Sequence, residues 1–251
     1  LFNQAVNLQL APSSVAIPGM ANGLVLNNNN GFGLLVSDNL LLGQGSLAQG
    51  VVFNVATASS SDVVQGLTLG GSLAGGPTAP GAVALTKSGA GALVLNGGNT
   101  FGGANTVVDI AGGILQVGTE TALGASGTLR ISTASYTQGL RASGSFTLNK
   151  RLLLNNTLSG LDVTAGNTLT LATPFAFSSA NNAFQKNDNG VLVLSADNAS
   201  TGWTGSFIVA GGAVRLSNAL ALGLTSGTAV TVSNLVGAAL QLDGINTGRN
   251  F

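Results

Sequence analysis

The chain of 251 residues contains no cysteine and no histidine. Their absence removes disulfide cross-links, thiol nucleophiles, imidazole general bases and the common zinc ligand sets. Charge is almost as scarce. Eight basic and eight acidic residues make up 6% of the chain and cancel to a formal net charge of zero, against about 25% charged residues in an ordinary soluble domain. Nucleic-acid binding needs concentrated cationic charge, and Lys150-Arg151 is the only adjacent basic pair, so no nucleic-acid partner is expected. Long hydrophobic runs are missing too. The chain is 45% apolar, yet no uninterrupted run approaches the roughly 18–20 residues of a spanning helix, so no membrane insertion of this segment is expected. Glycine-rich calcium nonapeptides, phosphate-binding loops and dinucleotide-binding β-α elements are also absent. No catalytic residue, cofactor or metal site is expected.

What is present is glycine, 38 residues of it, set among Ala, Leu, Asn, Thr, Ser and Val. Disorder does not fit, because evenly spread Leu and β-branched residues can bury ample apolar surface. The apolar residues alternate in short runs: Ala92–Asn96, Ile114–Gly118, Leu129–Ser132, Val191–Ser195 and Ala213–Ser217. Each run has four or five residues bounded by Gly, Asn or Ser, the signature of short strands between tight turns. Helical spacing over ten or more residues is absent, and a Gly every few residues would cost a helix about 1 kcal/mol each. Thr121–Gly124 is at most one helical turn. The chain reads as all-β.

The chain also repeats itself. Lys87–Gly124 and Lys186–Gly223 align without a gap at an offset of 99 residues, with 13 of 38 positions identical. Leu-Val-Leu occurs at 93–95 and 192–194, Ala-Gly-Gly at 111–113 and 210–212. Upstream lie Leu-Thr-Leu (67–69 and 169–171) and a Leu triplet (40–42 and 152–154). Gly139–Phe146 is similar to Gly244–Phe251, so a third copy would begin near the last residue, as in an excerpt of about two repeats from a longer protein. One continuous solenoid over 1–251 is expected, with 1–33 as an irregular or capping segment, 34–145 as the first repeat and 146–251 as the second. A propeller blade would repeat at roughly 40–50 residues. Solenoid coils of about 20–25 residues divide 99 into four or five turns, each touching only its neighbours. The expected fold is a right-handed parallel β-helix (β-solenoid) of about 10–12 coils. Alternate Leu, Val and Ile would point inward, and Gly and Asn would take positive φ at the corners.

The segment Leu85–Val117 resembles the autotransporter-associated β-strand repeat (passenger-associated transport repeat) of bacterial passenger domains and very large surface proteins. Lys87, Gly89, Gly91, Leu93, Leu95, Gly97, Asn99, Phe101, Gly103, Val107, Gly112 and Leu115 take the places of that pattern. The second copy keeps Lys186, Gly190, Leu192, Leu194, Asn198, Gly202, Gly211 and Val214. It departs at Asp188, Ala196 and Ser200, where the family favours Gly, Gly and an aromatic. The resemblance implies a secreted or surface-displayed bacterial β-helix: a stalk, an adhesin or an extracellular filament subunit. The family motif marks structure, so no functional residue carries over from it.

Candidate chemistry is thin. The acids are scattered, at Asp38, Asp62, Asp109, Glu120, Asp162, Asp188, Asp197 and Asp243. Asp188 and Asp197 are the nearest pair and read as turn residues before they read as catalysts. The matched Lys87 and Lys186 read as side chains that cover a coil edge or bond a turn carbonyl. Trp203, Tyr136, Phe101 and Phe207 could stack on sugars, but lone aromatics on a β-helix more often pack inside. The sequons at 155–157 and 198–200 mean little in a bacterial protein. The leading function is a non-enzymatic structural or adhesive rod, with end-to-end self-association, neighbouring repeats, or host or matrix glycans and proteins as partners. The alternatives are a fragment of a carbohydrate-active β-helix whose catalytic coils lie elsewhere, and an ice- or mineral-binding face. The last would need Thr ranks in every coil, and only Thr68, Thr168 and Thr170 supply them.

Overall fold

The computed structural model describes residues 34–42, 50–55, 66–224, 226, 230–233, 235 and 237–247. The expected capping segment, 1–33, lies outside them. The described residues form short strands and two single-turn 3-10 helices, Glu120–Leu123 and Ala199–Thr201. They divide into two compact units. The first reaches to Gln116 and includes Thr121–Gly127; the second holds Val117–Glu120 and the chain from Thr128.

In the first unit one parallel ladder runs β1 (Leu34–Val36), β4 (Gly66–Leu69), β7 (Ala92–Leu95) and β9 (Ile114–Val117). A second joins β2 (Leu40–Leu41) to β5 (Leu73–Ala74). A third runs β3 (Val51–Asn54), β6 (Val83–Ser88) and β8 (Val107–Ile110).

The second unit has three ladders as well. β10 (Thr128–Ile131), β13 (Arg151–Leu154) and β16 (Ala176–Phe177) make a short one. β11 (Ser135–Ala142), β14 (Leu158–Val163), β17 (Ala183–Asn187), β19 (Phe207–Val209) and β21 (Val230–Val232) make the second. β12 (Phe146–Leu148), β15 (Thr168–Leu171), β18 (Val191–Leu194), β20 (Ala213–Leu216) and β22 (Ala239–Leu242) make the third. Every partner lies one turn away along the chain: Leu169 pairs with Leu192, Leu192 with Val214 and Val214 with Leu240. Strands that pair in parallel with the next turn build a β-solenoid, as the sequence led us to expect.

Fewer turns form than expected. The described residues make about seven, against the 10–12 read from the sequence. The expectation divided all 251 residues by one coil length, but 1–33 lie outside the described part. The turn from Leu34 to Leu67 also takes 33 residues, where Leu169 to Leu192 takes 23.

Period-2 alternation sets the core. Leu169, Leu192 and Val214 stack in register with no exposure, while Thr168 and Thr170 between them face outward, half-buried. The ladder satisfies the backbone and the stacked aliphatics exclude water, at about 25 cal/mol per Å² of apolar surface removed. In the second unit four aromatics meet in the core. Phe184 and Phe207, aligned with Leu85 and Val108 of the first copy, are in register and meet edge to face at 5.5 Å. Phe175 touches Phe184 and Trp203, each at 5.5 Å, and Trp203 returns to Phe207 at 6.2 Å, closing a ring of four contacts.

Candidate functional site

The two residues that mark the repeat most strongly are lysines, and both are completely buried. β6 carries Lys87 and β17 carries Lys186 at inward positions, where an ammonium is tolerated only if every donor finds an acceptor. Each lysine finds three. Lys87 Nζ donates to the carbonyls of Ser88 (2.7 Å), Gly89 (2.8 Å) and Gly112 (2.9 Å). Lys186 Nζ donates to those of Asp188, Gly190 (2.7 Å) and Gly211 (2.9 Å). Two of each set come from the corner that follows the lysine, and the third from the corresponding corner one turn later. The lysine is therefore a clamp that ties successive turns through their carbonyls.

The Ala-Gly-Gly triplet is the other half of the clamp. Its last residue takes a left-handed backbone, Gly113 at φ 65° and Gly212 at φ 58°. A Cβ on Gly113 would lie 2.3 Å from the Gly91 carbonyl oxygen and 2.7 Å from Lys87 Nζ. On Gly212 it would lie 2.3 Å from the Gly190 oxygen. Burial draws both ammonium groups down to about 8, with Asp188 and Asp162 acting against that pull at Lys186. At neutral pH both remain charged, and the charge is spent on the main chain.

Asn99 and Asn198 form a second device, likewise repeated at 99 residues. The Asn99 carboxamide accepts from Leu73 N–H (2.8 Å) in the turn before and donates to the Ala122 carbonyl (2.6 Å) in the turn after. Asn198 does the same between Phe175 N–H (2.8 Å) and the Ala221 carbonyl (2.6 Å). The expectation that Asn shares the positive-φ corners with Gly is corrected here. Among the described residues the only non-glycine with positive φ is Asp188, at 63°. The recurring asparagines use their two-faced amide to bridge three turns, a role that glycine cannot fill.

Two of the second copy's three departures, at Asp188 and Ser200, are accounted for by the structure. Asp188 occupies the left-handed corner that Gly89 takes in the first copy, and its carboxylate accepts from Asn189 N–H at 2.8 Å. The missing aromatic at Ser200 is replaced from three residues further on. Trp203 lies fully buried beneath Gly223, where a Cβ would meet its carbonyl oxygen at 2.6 Å, as one on Gly124 would meet that of Phe101. Trp203 Nε1 donates to the Asn182 carbonyl at 2.9 Å.

The remaining candidates are not brought together as a reaction centre. Asp197 accepts from Ala199 N–H at 2.8 Å at the start of the 3-10 turn. Asp162 holds Arg141 at 2.9 Å and Asn187 at 3.0 Å. Glu120 accepts from the backbone of Asn149 and Lys150. Phe101, Trp203 and Phe207 are core residues with no exposed face; Tyr136, whose carbonyl accepts from Asn187, is half-buried. Asp62 lies outside the described residues. No group of three or more potential metal ligands occurs among the described residues.

Parallel turns locked by a buried lysine, a glycine corner and a bridging asparagine define a repeat β-solenoid. The family model of the passenger-associated transport repeat matches the chain twice, at residues 85–117 and 184–216. Those limits coincide with the clamp: each match spans one lysine, the asparagine after it and the Ala-Gly-Gly of the following turn. No curated protein and no solved structure matches the chain.

Proposed function

We propose that the chain is a non-enzymatic structural or adhesive β-solenoid of a secreted or surface-displayed bacterial protein, serving as a stalk, an adhesin or a filament segment. One observation carries this reading. The side chains that recur at 99 residues, Lys87 with Lys186 and Asn99 with Asn198, all end on backbone groups of adjoining turns. A repeat that conserves a reaction would hold its recurring polar groups toward a substrate. The acids support the same reading, because Asp162, Asp188, Asp197 and Glu120 are engaged in turns and ion pairs. The natural partner is another solenoid turn, from a neighbouring repeat or a second copy, seated on the rung formed by β21 and β22.

The test of the non-enzymatic reading is direct. The purified chain is incubated with acidic and neutral polysaccharides, with and without calcium, and new reducing ends and unsaturated products are measured. Neither is expected. Turnover that disappears in Asp188→Ala or Asp197→Ala would overturn the proposal and favour a carbohydrate-active solenoid.

A further inference from the structure

In the second unit the three ladders do not end together. The ladder β10–β13–β16 stops at Phe177, while the other two continue through β21 and β22. Where its next strand would lie, the chain instead makes the 3-10 turn Ala199–Thr201. Pro174 marks the step. Arg151 and Pro174 each lie two residues before the paired Leu153 and Ala176, and proline has no N–H to extend the pairing. The result is an open groove of about 440 Å³, lined by Arg151, Pro174, Phe175, Ala176, Phe177 and Thr201.

The chemistry of this groove is uneven in an informative way. Phe175 forms its floor and is committed to the aromatic core. Pro174 is exposed and Phe177 half-buried, so together they offer an apolar wall. Thr201 Oγ1 donates to the Asn198 carbonyl at 2.6 Å, which leaves its lone pairs turned to other donors. Arg151 is exposed, and among the described residues its guanidinium has neither a hydrogen-bond nor an ion-pair partner. Arg141, by contrast, is held by Asp162. Among the described residues nothing makes use of the Arg151 charge.

We propose that this groove binds an acidic sugar, a pyranose carrying a carboxylate, as in a uronate-containing polysaccharide. The guanidinium fork matches a carboxylate with two parallel hydrogen bonds. The C–H face of the ring lies against Phe177 and Pro174, and a ring hydroxyl donates to Thr201. A single cation suits one carboxylate and not a polyphosphate, which would require several. The volume falls within the range of small-ligand sites, about 300–1,000 Å³. This site is independent of the structural reading above, since a rod that binds no acidic sugar remains a rod.

Trigalacturonate serves as the probe, with its methyl ester, acetate and an oligo-aspartate peptide as comparisons, and binding followed by calorimetry and by ligand-observed NMR. Trigalacturonate is expected to bind and the methyl ester not. Arg151→Gln should weaken binding at least about tenfold, the loss of one charge-assisted bidentate pair, and Phe177→Ala should weaken it several-fold. Arg215→Gln, an exposed arginine on β20, should leave it unchanged. Arg151 is exposed and without a partner among the described residues, so its variant should keep the wild-type melting temperature. Wild-type protein that fails to bind, or binds the ester equally, overturns the proposal, as does Arg151→Gln binding at wild-type strength. Acetate or oligo-aspartate bound as tightly as trigalacturonate would reduce the site to an anion or peptide site and overturn the assignment to sugar.

Discussion

Asp188 shows how much a single position can tolerate when its neighbours determine the backbone. Gly89, its counterpart, sits at φ 74°, and Asp188 keeps that geometry at 63°. A residue with a Cβ incurs about 1 kcal/mol in the left-handed region. Asp recovers part of this through its bond to Asn189 N–H and its attraction to the Lys186 ammonium. Asp188→Gly, which removes both strain and side-chain contacts, is therefore expected to be close to neutral. Asp188→Ala retains the strain and loses the contacts. It should be less stable than Asp188→Gly by about 1 kcal/mol in urea unfolding, and equal stability of the two variants would refute this account. Phe101 and Trp203 make the complementary point. A buried aromatic is needed below the glycine of the next turn, but its place along the chain can move by three residues.

At the scale of the element, the unit of stability is the clamp rather than the strand. A strand of four residues is too short to persist alone, and each turn is tied to the next by ladder bonds, one lysine and one asparagine. Replacing Lys87 or Lys186 by Met leaves three buried carbonyls without a donor, a loss on the order of 3 kcal/mol. The effect depends on pH, with a definite sign. The folded chain holds these lysines at about 8, below the 10.5 of an unburied lysine. Below pH 8 both folded and unfolded chains are protonated, and the desolvation of the buried ammonium opposes folding in full. Between pH 8 and 10.5 the unfolded chain keeps protons that the folded chain releases, so the stability contributed at these sites rises with pH. The melting-temperature advantage of the wild type over Lys87→Met/Lys186→Met should therefore widen from pH 7 to pH 9.5. A constant or shrinking difference would show that burial does not depress these groups.

At the scale of the whole molecule, the rung that holds β21 and β22 differs from those before it. Along the column Leu171, Leu194, Leu216 and Leu242, exposure is 2%, 1%, 0% and then 47%, although all four occupy the same inward register. Val232 on β21 is 43% exposed, where Val209, its partner in β19, is fully buried. Among the described residues, the rung of β21 and β22 thus presents core side chains and strand edges, and such edges pair with other strands. Sedimentation velocity at micromolar concentration is expected to show species larger than the monomer, and Val232→Lys with Leu242→Lys should return them to monomer. A wild-type chain that sediments only as a monomer would exclude this face as an association surface. The low charge of the chain leaves little repulsion to oppose such pairing.

Much of this was legible from residue order, because the interactions are local in pattern. Alternation over four residues placed β7, β9, β10, β18 and β20 within a residue of their observed limits, since a buried face every second residue admits only a strand. The 99-residue repeat showed that Lys87 and Lys186 hold equivalent places and left open whether each covers a coil edge or bonds a turn carbonyl; the stacked turns decided for the carbonyls. What required tertiary structure was everything that depends on which turn lies next to which. Sequence spacing could not reveal that Asn99 reaches both Leu73 and Ala122, because those contacts exist only once three turns are stacked. Nor could it show that Trp203 substitutes for the aromatic missing at Ser200, or that Arg151 and Phe177 share a groove left by an interrupted ladder. The number of turns was likewise decided by stacking, because loops lengthen individual turns without disturbing the register of the strands between them.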